Sequence, residues 1–482
     1  MPILFNKYNS RTVFYVLVIC FITSCAGTEA DVIKDEYPPI FPDYTEITFP
    51  ALLAPPRFRV TVPCEKYRVV FRAGQEQWVV KGSKEVRIPR RGWDKLVQAD
   101  APVIEVHVTV KQADSWIAYE PFHIYISGVP IDRYLTYRRI SPGYSVYGAM
   151  GIYQRDLYTY KEKPVIENSF AEGSCVNCHS YAAGDPQNMM FHIRGKQGGT
   201  VIISDGMTGF VDLKTPESLS AGVYPYWHPS GDYIAYSVNI TRQLFHSRPD
   251  KVLDVYDLAS DLVIYDVKND CLIAPPQLQD STLFETFPAF SADGKILYFC
   301  AAVSGGEESD PLELRYSLYR TTFNPDDGSV GDVITKVLEM DGMSIAFPRP
   351  SPDGKNLMFT LSSYGTFPIW HPEADLYMMD PVSGQVRNVE ELNSSNTDSY
   401  HSWSSNSRWI VFSSRRIDGL HTRPYMALLK EDGTFTKPFL LPPSSVGYYD
   451  DLLQSFNIPE FSRGPVDFSP RELEKHSRPV SY

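Results

Sequence analysis

Cys175-Val176-Asn177-Cys178-His179 is the stretch of this chain best suited to covalent chemistry. Two cysteines separated by two residues and followed at once by histidine match the attachment sequence of c-type haem. The spacing serves that chemistry. Each thiol adds to one haem vinyl group, and the adjacent imidazole of His179 is placed to bind iron from one side. With 7 Cys and 10 His in 482 residues, chance supplies such a pentapeptide only roughly 0.002 times, so the arrangement asks for an explanation. A zinc site would want two further ligands at similar spacing, and no second C-x-x-C or H-x-x-x-H occurs. A thioredoxin-like pair would want a βαβ setting, whereas the surroundings read as all-β. A disulfide stays open if the compartment is oxidising.

The elements that must position these residues are read from the rest of the chain. At 482 residues it is long enough for two or three domains. Its 31 Tyr, 26 Phe and 38 Pro favour strands and turns over helices. A net charge of −13 argues against nucleic acid as a partner.

Residues 1–25 read as a targeting segment. Lys7 and Arg11 precede the apolar run Val13 to Phe21, and Ile22-Thr23-Ser24-Cys25 follows. This resembles the lipobox of bacterial lipoproteins, which implies cleavage before Cys25 and lipidation of that cysteine. The apolar run falls short of the ~20 residues of a membrane span. Export and the haem motif support each other, because haem is attached to exported apocytochromes outside the cytoplasmic membrane. The implied location is the bacterial envelope, at the outer membrane, held by the lipid. The acidic residues just after Cys25 resemble the surface-export signals of some Bacteroidetes-type lipoproteins.

Residues 26–54, rich in Pro and acidic side chains, are expected to be a tether. From 55 to 130 short alternating segments such as Ile104-Glu105-Val106-His107-Val108-Thr109-Val110 predict a β-sandwich of fibronectin type III or immunoglobulin shape. Residues 131–174 form a Tyr- and Arg-rich connector whose arginines suit haem propionates.

From 175 to 460 repeats dominate, with 461–482 as a tail. Trp227-His228-Pro229-Ser230-Gly231-Asp232-Tyr233-Ile234-Ala235-Tyr236 aligns with Phe290 to Phe299, Pro350 to Phe359 and Trp403 to Phe412. A fifth copy, Gly184 to Phe191, lies just after the haem motif. Each has an aromatic or Pro, a polar turn with Asp-Gly or its equivalent, and a strand closing on an aromatic. This resembles the WD40-like (PD40) repeat of TolB-type β-propellers, which implies one four-stranded blade per repeat. The closing aromatics recur roughly 45–63 residues apart, enough for a blade with loop insertions. Five blades are visible, and a sixth is assembled from residues 131–170 and the tail after 440. The expected fold is therefore all-β, an amino-terminal sandwich followed by a six-bladed propeller with haem at one mouth.

A sixth iron ligand would come from His192 or Met190. Strand alternation sets both apart from the core residue Met189, and His192 aligns with the smaller Ser237, Cys300, Thr360 and Ser413. His228 and His401 sit at neighbouring positions of their repeats. No Ser-His-Asp spacing, phosphate loop or paired-carboxylate motif stands out, so an electron carrier or binding protein is expected ahead of an enzyme. The function expected is electron transfer or redox sensing by one covalent haem c, with its iron, and a redox or envelope protein as partner. A propeller scaffold binding a protein or glycan, with the C-x-x-C as a disulfide, is the alternative. An open haem position would allow peroxidase-like chemistry, and a cytochrome c biogenesis factor is a further reading.

Overall fold

The computed structural model describes residues 30–142, 148–195, 198–215, 218–248, 251–304 and 310–471. The targeting segment with Cys25 and the end of the tail lie outside the described residues.

The repeat turns share one hydrogen-bond pattern. Ser291 Oγ donates to Asp293 Oδ1 and accepts from the Ile296 N–H, and Asp293 Oδ1 accepts from the Lys295 N–H. The same set recurs at Ser351, Asp353, Lys355 and Asn356. It recurs again at Ser404, with Asn406 in the place of Asp. Gly294 and Gly354 then take φ of 71°, the left-handed region that glycine enters most easily, and Ser407 accepts it at 61°. The turn after Val223–Trp227 carries His228 in the place of this serine, and the turn after Val176–Ala182 has Ala182 there. His228 Nδ1 meets Ser230 Oγ at 2.8 Å and its Nε2 meets Gly294 O, in the next blade's turn, at 3.1 Å.

Each turn joins the innermost strand of a blade to its second strand. Blades 2, 3, 5 and 6 are four-stranded antiparallel sheets whose innermost strands are Val176–Ala182, Val223–Trp227, Ser344–Pro350 and Asp398–Trp403. Blade 4, beginning with Leu283–Phe290, carries an additional short strand. Blade 1 combines Tyr134–Ile140, Gly151–Asp156 and Glu162–Glu167 with Ser455–Ser462 as its innermost strand. The chain thus closes its propeller with strands from both ends of the repeat region, as the sequence leads one to expect. Successive innermost strands lie side by side, and Ser455–Ser462 contacts both Asp398–Trp403 and Val176–Ala182 to complete the ring.

Residues 30–54 do not hang free. Val32–Ile33 and Ile47–Pro50 join a seven-stranded sheet, each parallel to its neighbour, and Ile40–Phe41 belongs to a three-stranded one. A purely antiparallel sandwich has no such parallel pairs. One helix, Arg90–Val97, packs Trp93 and Leu96 inward; eight residues with so few apolar positions leave no readable helical period. This unit shares one continuous core with blade 6. Phe49 lies 5.5 Å from the Trp93 ring and 5.2 Å from the Phe439 ring, while Lys437 Nζ donates to Asp43 Oδ2 at 2.8 Å. The amino-terminal strands therefore brace the two-residue outer strand of blade 6.

Two blades carry a carboxylate at one equivalent place on the innermost strand. Asp398 accepts from Arg416 Nη2 at 2.8 Å. Glu285 is fully buried with neither oxygen partnered among the described residues. Burial and then the charge of Asp261, with Asp280 also near, push its carboxyl up to about 8.

Two outcomes follow for stability. Phe49→Ala removes a ring shared by both units and should cost about 3–5 kcal/mol in denaturant unfolding. The raised Glu285 carboxyl contributes stability that is full below its ordinary value of 4.5 and is lost as pH rises through about 8. Glu285→Gln should therefore gain on the parent steadily as pH rises from about 5 to about 8 and hold that gain above it, and melting temperatures that run parallel from about pH 5 to about 8 would refute the assignment.

Candidate functional site

Every innermost strand breaks its register at the same point, and one residue there adopts a left-handed backbone. These are Cys178, Tyr224, Phe287, Phe347, Tyr400 and Ile458, with φ between 46° and 57°. A non-glycine residue pays roughly 1–2 kcal/mol for that conformation, and the ring imposes it six times. The rings of Tyr224, Phe287, Phe347 and Tyr400 follow one another at centroid spacings of 4.4, 5.8 and 4.9 Å. Together they plug the waist of the channel. Cys178 is the small member of this ring.

A cavity of about 740 Å³ occupies the mouth where the innermost strands begin, within the range of cofactor sites, about 300–1,000 Å³. Cys175 and Cys178 both line it, only 4% and 7% exposed, and both are free thiols. Burial pushes the Cys178 thiol up, against the pull of Arg194. Blade 3 supplies a cover. Its strands Tyr233–Phe245 and Leu253–Asp266 run beyond the blade and turn Asn239, Thr241, Gln243 and Phe245 toward the cavity. The far end of this hairpin is fastened where His246 Nε2 meets Asp254 Oδ2 at 2.7 Å and Tyr364 Oη approaches the same carboxylate at 3.4 Å.

His179 is not on the cavity wall. The residue after the left-handed one is Pro225, Pro288, Pro348 and Pro459 in four blades, His179 in blade 2 and His401 in blade 6. This position packs between blades. His401 Nε2 bonds Met358 O at 3.0 Å, on the second strand of the preceding blade. His179 is 2% exposed and neither ring nitrogen has a hydrogen-bond partner among the described residues. Burial and then the Arg138 charge lower its pKa to about 3, against the opposing pull of the Thr136 backbone on the second strand of blade 1. The imidazole is neutral at pH 7.

Of the two further candidates, His192 lines the cavity and Met190 does not. Met190 is fully buried in the core that blade 2 shares with blade 3, beside Trp227 and Tyr236. Alternation correctly separates it from Met189, but the far face meets the next blade before it reaches the channel. His192 lies nearer the mouth. Its Nδ1 is 3.2 Å from Thr200 Oγ1, and burial followed by the Arg194 charge lowers its pKa to about 4. Elsewhere this position holds a small group that serves the next blade: Ser237 Oγ accepts the Phe287 N–H at 3.0 Å.

Of the remaining wall the sequence pointed only to Arg138, one of the connector arginines. Tyr224, Tyr400 and Trp370 provide flat apolar surface, and among the described residues the wall carries Arg138, Arg194, Lys214 and Arg415 with one carboxylate, Asp212. Lining up the innermost strands on their aromatic-Pro pairs would have found the two tyrosines. At the opposite mouth a cavity of about 280 Å³ holds Arg349 and Glu460, whose carboxyl burial pushes up to about 8.

No protein-family description matches the chain, and no curated protein does. Among solved structures it is similar to puromycin hydrolase, at 12% identity and TM-score 0.37, over 64% of this chain and 45% of that one. An oligogalacturonate lyase in complex with manganese gives 11%, 0.37, 64% and 74%, and the Niastella koreensis GH74 enzyme 14%, 0.39, 62% and 45%. The chain thus spans less than half the length of the hydrolase. Sheet order and ring closure, rather than these likenesses, define the propeller.

Because four blades already hold proline at this place, His179→Pro should fold and melt within a few degrees of the parent. Loss of folding would show that the imidazole is needed where it lies.

Proposed function

We propose that the chain is an exported, lipid-anchored propeller that carries one covalent c-type haem in the larger mouth, for electron transfer or redox sensing at the cell envelope. One observation carries the reading: both thiols of the C-x-x-C-H sequence open onto the same cofactor-sized cavity. Cys175 and Cys178 are the thioether donors. His192 is the imidazole already on the wall, and Arg138 and Arg194 suit the acidic edge of a porphyrin. Bound haem would supply one-electron exchange at its iron. The chain's own part is to exclude water with the plug and the blade 3 hairpin and to set the polarity around the ring. Anchoring would come through Cys25, and a redox protein of the envelope would dock at this mouth.

The inward position of His179 favours a second reading. Without an imidazole supplied by the pentapeptide, the propeller is a binding scaffold whose dithiol borders a non-covalent ligand.

An alkaline pyridine haemochrome spectrum separates the two. Protein from a host with c-type maturation machinery should keep haem through denaturation, and Cys175→Ser/Cys178→Ser should lose it. A colourless parent protein despite competent maturation would remove the haem reading and leave the scaffold.

A further inference from the structure

Arg415 is 3% exposed and lies on the wall of the larger cavity. Its guanidinium stacks 3.3 Å from the centre of the Trp370 ring, and its Nη1 donates to Leu420 O at 2.7 Å. Its Nε has no partner among the described residues. The adjacent Arg416 is paired with Asp398 at 2.8 Å, whereas no carboxylate among the described residues is paired with Arg415. Asp418, whose charge reaches it, is engaged by the side chain and backbone N–H of His421, each at 2.8 Å. Burial lowers the Arg415 pKa to about 9, a sign of how poorly its charge is compensated. Arg138, on blade 1, shares the wall and also has an unpartnered Nε. Arg138, Arg415 and Tyr400 line the same cavity, and the charges of both arginines pull on the Tyr400 hydroxyl.

A buried cation without a counter-charge is costly unless something supplies one. The protein as a whole is acidic, at −13, yet among the described residues this cavity is lined by more cations than carboxylates. A planar ligand resting on Tyr400 would bring its acidic groups to the two guanidiniums, which present forked donors that match carboxylates.

We infer that Arg415 and Arg138 form a carboxylate-binding subsite of the larger cavity, which selects flat ligands bearing acidic groups on one edge. This deepens the reading of the cavity as a porphyrin site but does not depend on thioether formation. It makes a non-covalent, charge-selective contribution of its own.

The test uses the full chain made without c-type maturation and carrying Cys175→Ser/Cys178→Ser. It is titrated with metal-free protoporphyrin IX and, separately, with its dimethyl ester, following tryptophan quenching. The diacid should bind at least tenfold more tightly than the ester. Arg415→Gln should remove most of that preference and Arg415→Lys only part of it. If Arg415→Gln does not fold, Arg138→Gln, at a half-buried position, should still weaken the diacid several-fold without affecting the ester. Equal affinity for diacid and ester, diacid binding indifferent to both arginines, or no binding of either would each overturn the subsite. Diacid selectivity in a protein that never acquires covalent haem would keep the subsite and remove the haem carrier. Covalent haem with no selectivity would do the reverse.

Discussion

The structure depends on the closing of a ring of six innermost strands, and the left-handed break in each strand is where that closure becomes chemistry. Six strands converging on one axis cannot all keep their side chains in a regular pleat. At the break each strand turns one residue into the channel and the next into the seam between blades. Large side chains at the first position fill the waist, and proline at the second gives up an N–H that the broken ladder does not use. Blade 2 departs at both positions, with Cys178 for an aromatic and His179 for a proline. The small side chain opens space where the other blades close it, and the cavity reaches down to that thiol.

This explains why the pentapeptide, one unit in the sequence, is divided in the fold. Read as a linear motif, Cys175, Cys178 and His179 form one unit aimed at one ligand. Read on the propeller, the motif straddles the break, so its cysteines and its histidine are sent to different surroundings. The thiols meet the cavity. The imidazole meets the seam, as His401 does two blades earlier around the ring. The residue that the repeat alignment marks as unusual, His192, lines the wall at a position where the other copies hold the smaller Ser237, Cys300, Thr360 and Ser413.

Much of the architecture was legible because the turns are local. Ser-x-Asp-Gly and its variants write their hydrogen bonds into six consecutive residues, so blades 2 to 6 can be counted from the sequence and the missing strands assigned to the two ends. What was not legible rests on contacts distant in the chain. The expected tether becomes strand because Phe49 and Asp43 find partners in blade 6, nearly four hundred residues away. The helix Arg90–Val97 is too short to announce itself. Arg415 and Trp370 belong to different blades, and only the fold stacks one on the other.

Electrostatics then separates the two ends of the channel. At the smaller mouth the charges answer one another, since Glu460 and Arg349 face the same small space and the arginine's charge opposes the rise that burial imposes on the carboxyl. At the larger mouth they do not: among the described residues of its wall, Asp212 is outnumbered by Arg138, Arg194, Lys214 and Arg415. Low-dielectric walls strengthen any attraction inside such a pocket, and an acidic exterior repels the same anions until they reach it. An acidic ligand is therefore favoured only where the arginines can touch it. That confines binding to the one mouth where two thiols and an imidazole already stand, and it gives the cavity a charge preference that the thiols alone could not supply.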